Sequence, residues 1–249
     1  MSQDVIRVSK TAADAYRLMA DEFLAFTEDK IRETGSCVVA ITGGTVVDGL
    51  FAVLTGEDYI DRVNWEEIYF LWTDERFVNH DDPDSYYGRM KRLVAQAIPG
   101  AVHMYGVRTC IGSVMNAAAG YEQEVKNVLR GLDKQSLDLA ILDLGADGHT
   151  AGLFPKSAVL TDCEHLVVPV KDGKVWDRVS MTFHFLSQAQ TVWFGVMGEN
   201  KKAALKKVLF QREDCQGMSW KERTSCSLPG AVLCQDDICW FVDEETYPK

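Results

Sequence analysis

Residues 37–54 read CVVAITGGTVVDGLFAVL. The first five are an unbroken apolar run, the pattern of a strand buried on both faces. After TGGT the apolar positions resume at helical spacing. A strand that passes through a glycine turn into a helix is the repeating unit of an α/β protein. The same alternation extends both ways along the chain. Upstream, Thr11 with Asp14 three residues on predicts a capped helix start, with Ala15, Leu18, Met19, Phe23 and Phe26 on one face. Downstream, strands are expected at IYFLW (68–72), VHMYGV (102–107), LDLAILDL (137–144), HLVVPV (165–170), VSMTF (179–183), TVWFGVM (191–197) and ICWFV (238–242). Helices are expected over 85–97, 113–130 and 199–209. The pattern predicts an α/β fold on a mostly parallel sheet covered by helices on both faces. No repeat, proline-rich linker or low-complexity run divides the 249 residues, so one domain over 1–249 is expected.

Composition narrows the function. A hydrophobic fraction of 47% with 25% charged residues suits a sizeable core. The net charge of −11 disfavours nucleic acid and anionic membranes, which need a basic footprint, so an anionic ligand must find a local positive pocket. No run reaches transmembrane length and MSQDVIRVSK has no apolar signal core, so a cytoplasmic protein is expected. Seven cysteines without a C-x-x-C pair point to buried free thiols. The late group Cys215, Cys226, Cys234 and Cys239 matches no common zinc spacing, so no metal is expected.

Ligands of parallel sheets bind beyond the carboxyl ends of the strands, and three strand-end turns carry chemistry. In ITGGTVVDG (41–49), Gly43 and Gly44 let backbone N–H groups approach an anion at a helix start, and Thr42 and Thr45 add hydroxyls. The plain alternative is a tight turn that needs glycine. It is neither a Walker loop nor a G-x-G-x-x-G fingerprint, so no nucleotide is implied. In LWTDERFVNHDDPDSYYG (71–88), Asp74, Glu75 and Arg76 end a buried strand. Such charges are solvated, mutually paired or used on a ligand. Arg76 suits an anion or oxyanion, with Asp74 fixing its direction. In DLGADGHTAGLF (143–154), His149 follows Asp147 and Gly148. An imidazole there suits general-base work on water, with Asp147 holding its tautomer. Arg178 and Lys201 add positive charge near two later strands.

Taken in order, TGGT…DGL, WTDERFVNHDDPDSYYGRM, LDLAILDLGADGHTAGLFP, RVSMTFHFL…VWFGVMGENKKAALKKVL and LPGAVL…ICWFVDE resemble the 6-phosphogluconolactonase family, relatives of the glucosamine-6-phosphate isomerase/deaminase fold. The resemblance implies a Rossmann-like arrangement and hydrolysis of 6-phospho-D-glucono-1,5-lactone to 6-phosphogluconate, the second step of the oxidative pentose phosphate pathway. It implies no organic cofactor and no obligatory metal. His149 would be the base and Asp147 its support. Gly43, Gly44, Thr45, Asp74, Arg76, Arg178 and Lys201 would contact the substrate, chiefly its phosphate, and Arg76 would also serve the oxyanion. The partner is then a small sugar phosphate lactone, with no nucleic acid and no membrane, on a monomer or weak homo-oligomer.

The chain departs from that pattern in three places. The Ser-Thr-Pro that usually continues the glycine turn is Thr45-Val46-Val47, the Ser-Asn after DER is Ser85-Tyr86, and the first glycine of G-x-G-x-D-G-H is Asp143. Two other functions remain open. Amino-sugar-phosphate isomerase/deaminases carry Ile-Ala-Phe-Asn-Glu-Pro after D-G-H, and the place of the glutamate that assists ring opening is here Phe154. A non-catalytic sugar-phosphate sensor usually accompanies a DNA-binding segment, for which this acidic chain has no room. A lactone carbonyl is already electrophilic, so a water-activating base and an oxyanion site suffice. No G-x-S-x-G nucleophile elbow is present.

Overall fold

The structure is a computed structural model that describes residues 4–98, 100–110, 112–171, 175–214, 218 and 238–248. Successive strand residues point to opposite faces, so the unbroken burial of Cys37–Ile41 (β2) means that both faces of its sheet are covered. That sheet has seven strands, and every neighbouring pair is parallel. The others are Val5–Ser9 (β1), Ile68–Trp72 (β3), His103–Tyr105 (β5), Leu139–Asp143 (β6), Thr191–Val196 (β9) and Cys239–Asp243 (β10). They lie in the order β1-β10-β9-β6-β2-β3-β5. Helices Ala12–Thr34 (α1) and Thr45–Leu54 (α2) pack on each other, and α1 also packs on β10. Thr11 caps α1 by accepting from the Asp14 N–H, and Gly35 closes it with φ +78°. Of the expected α1 face, Ala15, Met19 and Phe23 are buried, whereas Leu18 and Phe26 are only partly so.

The order places the crevice. From β2 the chain crosses to β3 on one side, while from β6 it works toward β9 on the other. β2 and β6 are neighbours, so the turns after them diverge and leave a gap at their carboxyl ends.

Three sequence expectations need correction. DER is not a turn: Asp74–Arg76 forms a short strand (β4), one residue beyond β3. HLVVPV and VSMTF do not join the parallel sheet. Val167–Val170 (β7) and Arg178–Met181 (β8) form a second, antiparallel sheet with β4 in the order β4-β8-β7, and Thr73 O accepts the Met181 N–H at 2.7 Å where the sheets meet. The late helix expected over 199–209 is a 3₁₀ turn, Glu199–Lys201, followed by Lys202–Asp214 (α6). The remaining helices are Tyr86–Ala97 (α3), Val114–Gly131 (α4) and the short Phe183–Leu186 (α5). Strand β1 was not anticipated. Cys37 and Cys239 are buried free thiols, but Cys110 and Cys163 are exposed, contrary to the expectation of buried thiols; Cys215, Cys226, Cys234 and the segment LPGAVL lie outside the described residues.

The β3 end that leads to the crevice has a weak point. β5 pairs with β3 only as far as Leu71, so the backbone groups of Trp72 on that side lack a strand partner. The buried Tyr121 hydroxyl of α4 supplies one: it accepts from Trp72 N at 2.5 Å and donates to Trp72 O at 3.0 Å. Tyr121→Phe leaves both unpaired in the core, which should cost about 1–3 kcal/mol of stability in urea unfolding. A variant as stable as wild type would mean that this strand end is held by something else.

Candidate functional site

His149 is held by its own loop. Its Nδ1 lies 2.5 Å from Asp147 Oδ1, which also accepts the His149 backbone N–H at 3.2 Å. A carboxylate acceptor on Nδ1 fixes the proton there and leaves the lone pair on Nε2. The loop closes through Gly145 N–H to His149 O at 2.8 Å and Gly148 N–H to Gly145 O at 2.9 Å, with Gly148 at φ +86°. A Cβ on Gly145 would stand 2.1 Å from His149 Nδ1 and 2.9 Å from Asp147 Oδ1, so only glycine admits this pair. The other face of the imidazole meets Phe154, ring centroids 4.6 Å apart.

The glycine turn faces it across the crevice. Gly44, at φ +92°, precedes α2 without a side-chain cap, and Gly43, Gly44 and Thr45 line the crevice, so the helix starts there with its first N–H groups uncapped. Gly43 lies on the Tyr86 ring, where a Cβ would meet Cγ at 1.9 Å. Of the pattern departures, Val46 faces the core, against Gly195, and takes no part in the pocket.

The small sheet supplies the third wall. Asp74 does not direct Arg76, as expected from sequence. It is buried and accepts from Arg178 Nη1 at 2.8 Å, because β4 and β8 are antiparallel and place the two side chains together. Burial works against the Arg178 charge, but Asp74 and the Tyr86 hydroxyl at 3.3 Å keep its pKa above the ordinary value. Arg76 pairs instead with Asp84 and lies over the Tyr86 ring, 4.7 Å from its centroid. Tyr86 thus underlies Gly43 and both arginines, a role that no sequence signal indicated.

Glu75, wholly buried, faces away from the crevice. Its carboxylate accepts from the N–H groups of Arg76 (2.8 Å), Tyr86 (2.9 Å) and Tyr87 (2.7 Å) and from the Ser85 hydroxyl (3.1 Å). It therefore anchors the start of α3, where Ser85 is the cap. Burial pushes its pKa up to about 7, against the pull of those three N–H groups.

Lys201 is buried rather than solvated and pairs with Asp143, the last residue of β6. Thr42, Gly43, Gly44 and Thr45, then Asp74, Arg76 and Arg178, then Asp143, His149 and Lys201 line one pocket of about 280 Å³. Asp147 stands behind His149 rather than in the lining. Larger hollows exist, such as a groove of about 570 Å³ between Tyr69, Tyr105 and α4, but Arg108 and Glu124 are its only charged residues. Chemistry, not volume, singles out the pocket at the crevice.

The family model for glucosamine-6-phosphate isomerases/6-phosphogluconolactonase matches residues 10–225. The chain is 33% identical to the 6-phosphogluconolactonase of Synechocystis sp. over 221 residues, 86% of this chain and 85% of that protein. It is 31% identical to the 6-phosphogluconolactonase of Nostoc sp. over 228 residues, 90% of this chain and 88% of that one. The crystal structure of 6-phosphogluconolactonase from Thermotoga maritima superposes with a TM-score of 0.80 at 21% identity, covering 97% of this chain and 100% of that one. A monomeric glucosamine-6-phosphate deaminase superposes with a TM-score of 0.76 at 17% identity, covering 97% and 98%. At these identities the structural likenesses establish the fold.

The environment of Glu75 has a pH signature. Its folded pKa of about 7 exceeds the unfolded value of about 4.3, so the folded state holds the proton more tightly. Its contribution to stability is complete below pH ~4.3 and is lost as pH rises through about 7, a change of about 4 kcal/mol at 1.36 kcal/mol per unit. Glu75→Gln cannot titrate, and its NH₂ opposes a backbone N–H. The stability gap between wild type and variant should therefore narrow by about 2–3 kcal/mol between pH 5 and pH 8 in urea unfolding. A gap constant over that range would refute it.

Proposed function

Since the chain belongs to the glucosamine-6-phosphate isomerase/6-phosphogluconolactonase family, we propose that this pocket hydrolyses 6-phospho-D-glucono-1,5-lactone to 6-phosphogluconate. The observation that carries the reading is the His149–Asp147 pair at 2.5 Å, which leaves Nε2 free as a base on a pocket where Arg76, Arg178, Lys201 and the start of α2 converge. The phosphate lies against the glycine turn, where Gly43, Gly44 and Thr45 offer N–H and hydroxyl donors and Arg178 and Lys201 offer charge. That placement brings the lactone carbonyl toward His149.

Water adds to C1 as its proton passes to His149 Nε2, and the negative charge moves to the carbonyl oxygen. Asp147 stabilises the imidazolium that forms. Arg76, whose buried Nε has no hydrogen-bond partner among the described residues, and the N–H groups of the 143–149 loop would serve as donors to that oxyanion. Collapse of the tetrahedral intermediate breaks the bond between C1 and the ring oxygen, and the imidazolium returns its proton to that oxygen, which becomes the C5 hydroxyl. The acid formed ionises and releases one proton. Nothing in the sequence of steps requires a cofactor or metal. Phe154, against the His149 ring, has no proton to offer for ring opening of an amino sugar, which favours hydrolysis over deamination. A cytoplasmic monomer or weak homo-oligomer without nucleic-acid or membrane partners fits the same reading, supported by the net charge of −11. Among the described residues no helix is long and apolar enough to cross a membrane.

The direct test is proton release from freshly generated lactone at neutral pH, against a no-enzyme control because such lactones also hydrolyse unaided. Turnover at the control rate would sink the assignment, as would equal turnover of glucono-δ-lactone without its phosphate. His149→Asn should lower kcat by about 10²–10⁴ and leave 6-phosphogluconate binding nearly unchanged. Retention of most of kcat by a folded variant would make the histidine structural.

Lys201→Ala should raise KM far more than it lowers kcat, by about ten- to a hundredfold, the worth of one charged hydrogen bond. Arg178→Ala should do the same and also destabilise the fold, since it strands the buried Asp74 charge. Calorimetry on 6-phosphogluconate decides: unchanged affinity in both variants places the phosphate elsewhere.

A further inference from the structure

Two carboxylates line the pocket, and they differ. Asp74 is buried and committed to Arg178. Asp143, 21% exposed, uses only one oxygen: Oδ1 accepts the Leu144 N–H at 2.7 Å and pairs with Lys201, whereas Oδ2 accepts no hydrogen bond among the described residues. It stands where the resembling family carries glycine, at the carboxyl end of β6, beside the turn that starts α2. Lys201 reaches it from the turn after β9, and His149, backed by Asp147, from its own loop. Tyr16 of α1 lies near enough that Asp143, with burial first and Asp243 and Asp48 after, pushes that phenol up to about 12. Arg76, Arg178 and Asp74 close the pocket from the small sheet. Burial raises the Asp143 carboxyl itself, against the pull of Lys201.

This arrangement has a consequence for anions, which rests on the reading of Lys201 as a phosphate ligand. A phosphate dianion drawn to Lys201 meets a second anion at Oδ2. Two oxyanions at hydrogen-bond distance repel unless a proton lies between them. A phosphate monoester, with a second pKa of about 6, can bring that proton. We propose that Asp143 is a specificity-determining residue that selects a phosphoryl group carrying a proton, Oδ2 accepting a hydrogen bond from the P–OH while Lys201 holds another oxygen. A sulfate, an oxyanion of the same shape with no proton to donate, is rejected. The dianion that predominates above neutral pH binds poorly for the same reason.

The test is calorimetric binding of 6-phosphogluconate, inorganic phosphate and sulfate to the full chain between pH 5.5 and 8. Wild type should lose affinity for 6-phosphogluconate by about tenfold per pH unit above about 6, and should bind sulfate roughly ten- to a hundredfold more weakly than phosphate at pH 6. Asp143→Asn, which keeps the shape, and Asp143→Gly should each lose the slope and accept sulfate as well as phosphate. His149 is a second proton acceptor in the pocket, so the profile is repeated in His149→Asn, which should retain the slope. Equal slopes in wild type and both Asp143 variants, or sulfate bound by wild type as tightly as phosphate, would overturn the proposal. So would a slope that disappears in His149→Asn and persists in Asp143→Asn. Absence of binding by all three anions would overturn the phosphate pocket as well, and lactone turnover by wild type, measured in parallel, separates that outcome from failure of the lactonase reading.

Discussion

β2 and β6 end side by side with their chains leaving in opposite directions, and the pocket exists because of that divergence. Both strands are buried on both faces, so neither terminal turn can be moved without repacking the centre of the sheet. The glycine turn and the histidine loop are thus set on a rigid base, which the proposed catalytic geometry requires. The small antiparallel sheet is fastened to the same place: β4 continues from β3 through Thr73, whose carbonyl accepts from β8. Side chains from five strand ends or strand-end turns therefore meet within one small volume.

On the proposed reading an acidic chain offers that volume to an anion, and its cations there are paired. Arg178 is paired with Asp74, Arg76 with Asp84 and Lys201 with Asp143. Pairing of this kind adds little net stability, since desolvation offsets attraction, but it fixes the direction of each cation before a ligand arrives. The donors that no capping side chain engages are backbone N–H groups at the start of α2, which follows Gly44. Tyr86 extends the same logic, since its ring carries Arg76 and its hydroxyl reaches Arg178.

The parts of this that could be read from sequence are those determined by local pattern. The apolar runs of β2, β3, β6, β9 and β10 and the Thr11 cap are properties of a few neighbouring residues, and each is where periodicity puts it. The candidate turns are legible because glycine, histidine and charge at the end of an apolar run are locally anomalous. Long-range pairing was not legible. DER reads as a turn since three charges in a row are poor strand formers, and it becomes a strand only because β8, about a hundred residues later, pairs with it. Periodicity identified β7 and β8 as strands but contains no information on which sheet they join. For the same reason sequence alone pairs Asp74 with the nearby Arg76 rather than with Arg178, and gives no sign that Tyr86 lies beneath a glycine 43 residues away.

Five acidic side chains around the pocket show how little residue type decides by itself. Glu75, among four donors and wholly buried, is a structural anchor. Asp74 and Asp84 orient arginines. Asp147 fixes an imidazole tautomer across 2.5 Å. Of the two acids that line the pocket, Asp143 is the one that keeps an oxygen without a hydrogen-bond partner among the described residues. What separates them is the number of hydrogen bonds each already accepts and how far each is removed from water, and these two quantities decide which carboxylate is left to meet a ligand. A carboxylate with every lone pair engaged has nothing to offer a substrate, whereas one with an oxygen in reserve must either repel an arriving anion or share a proton with it.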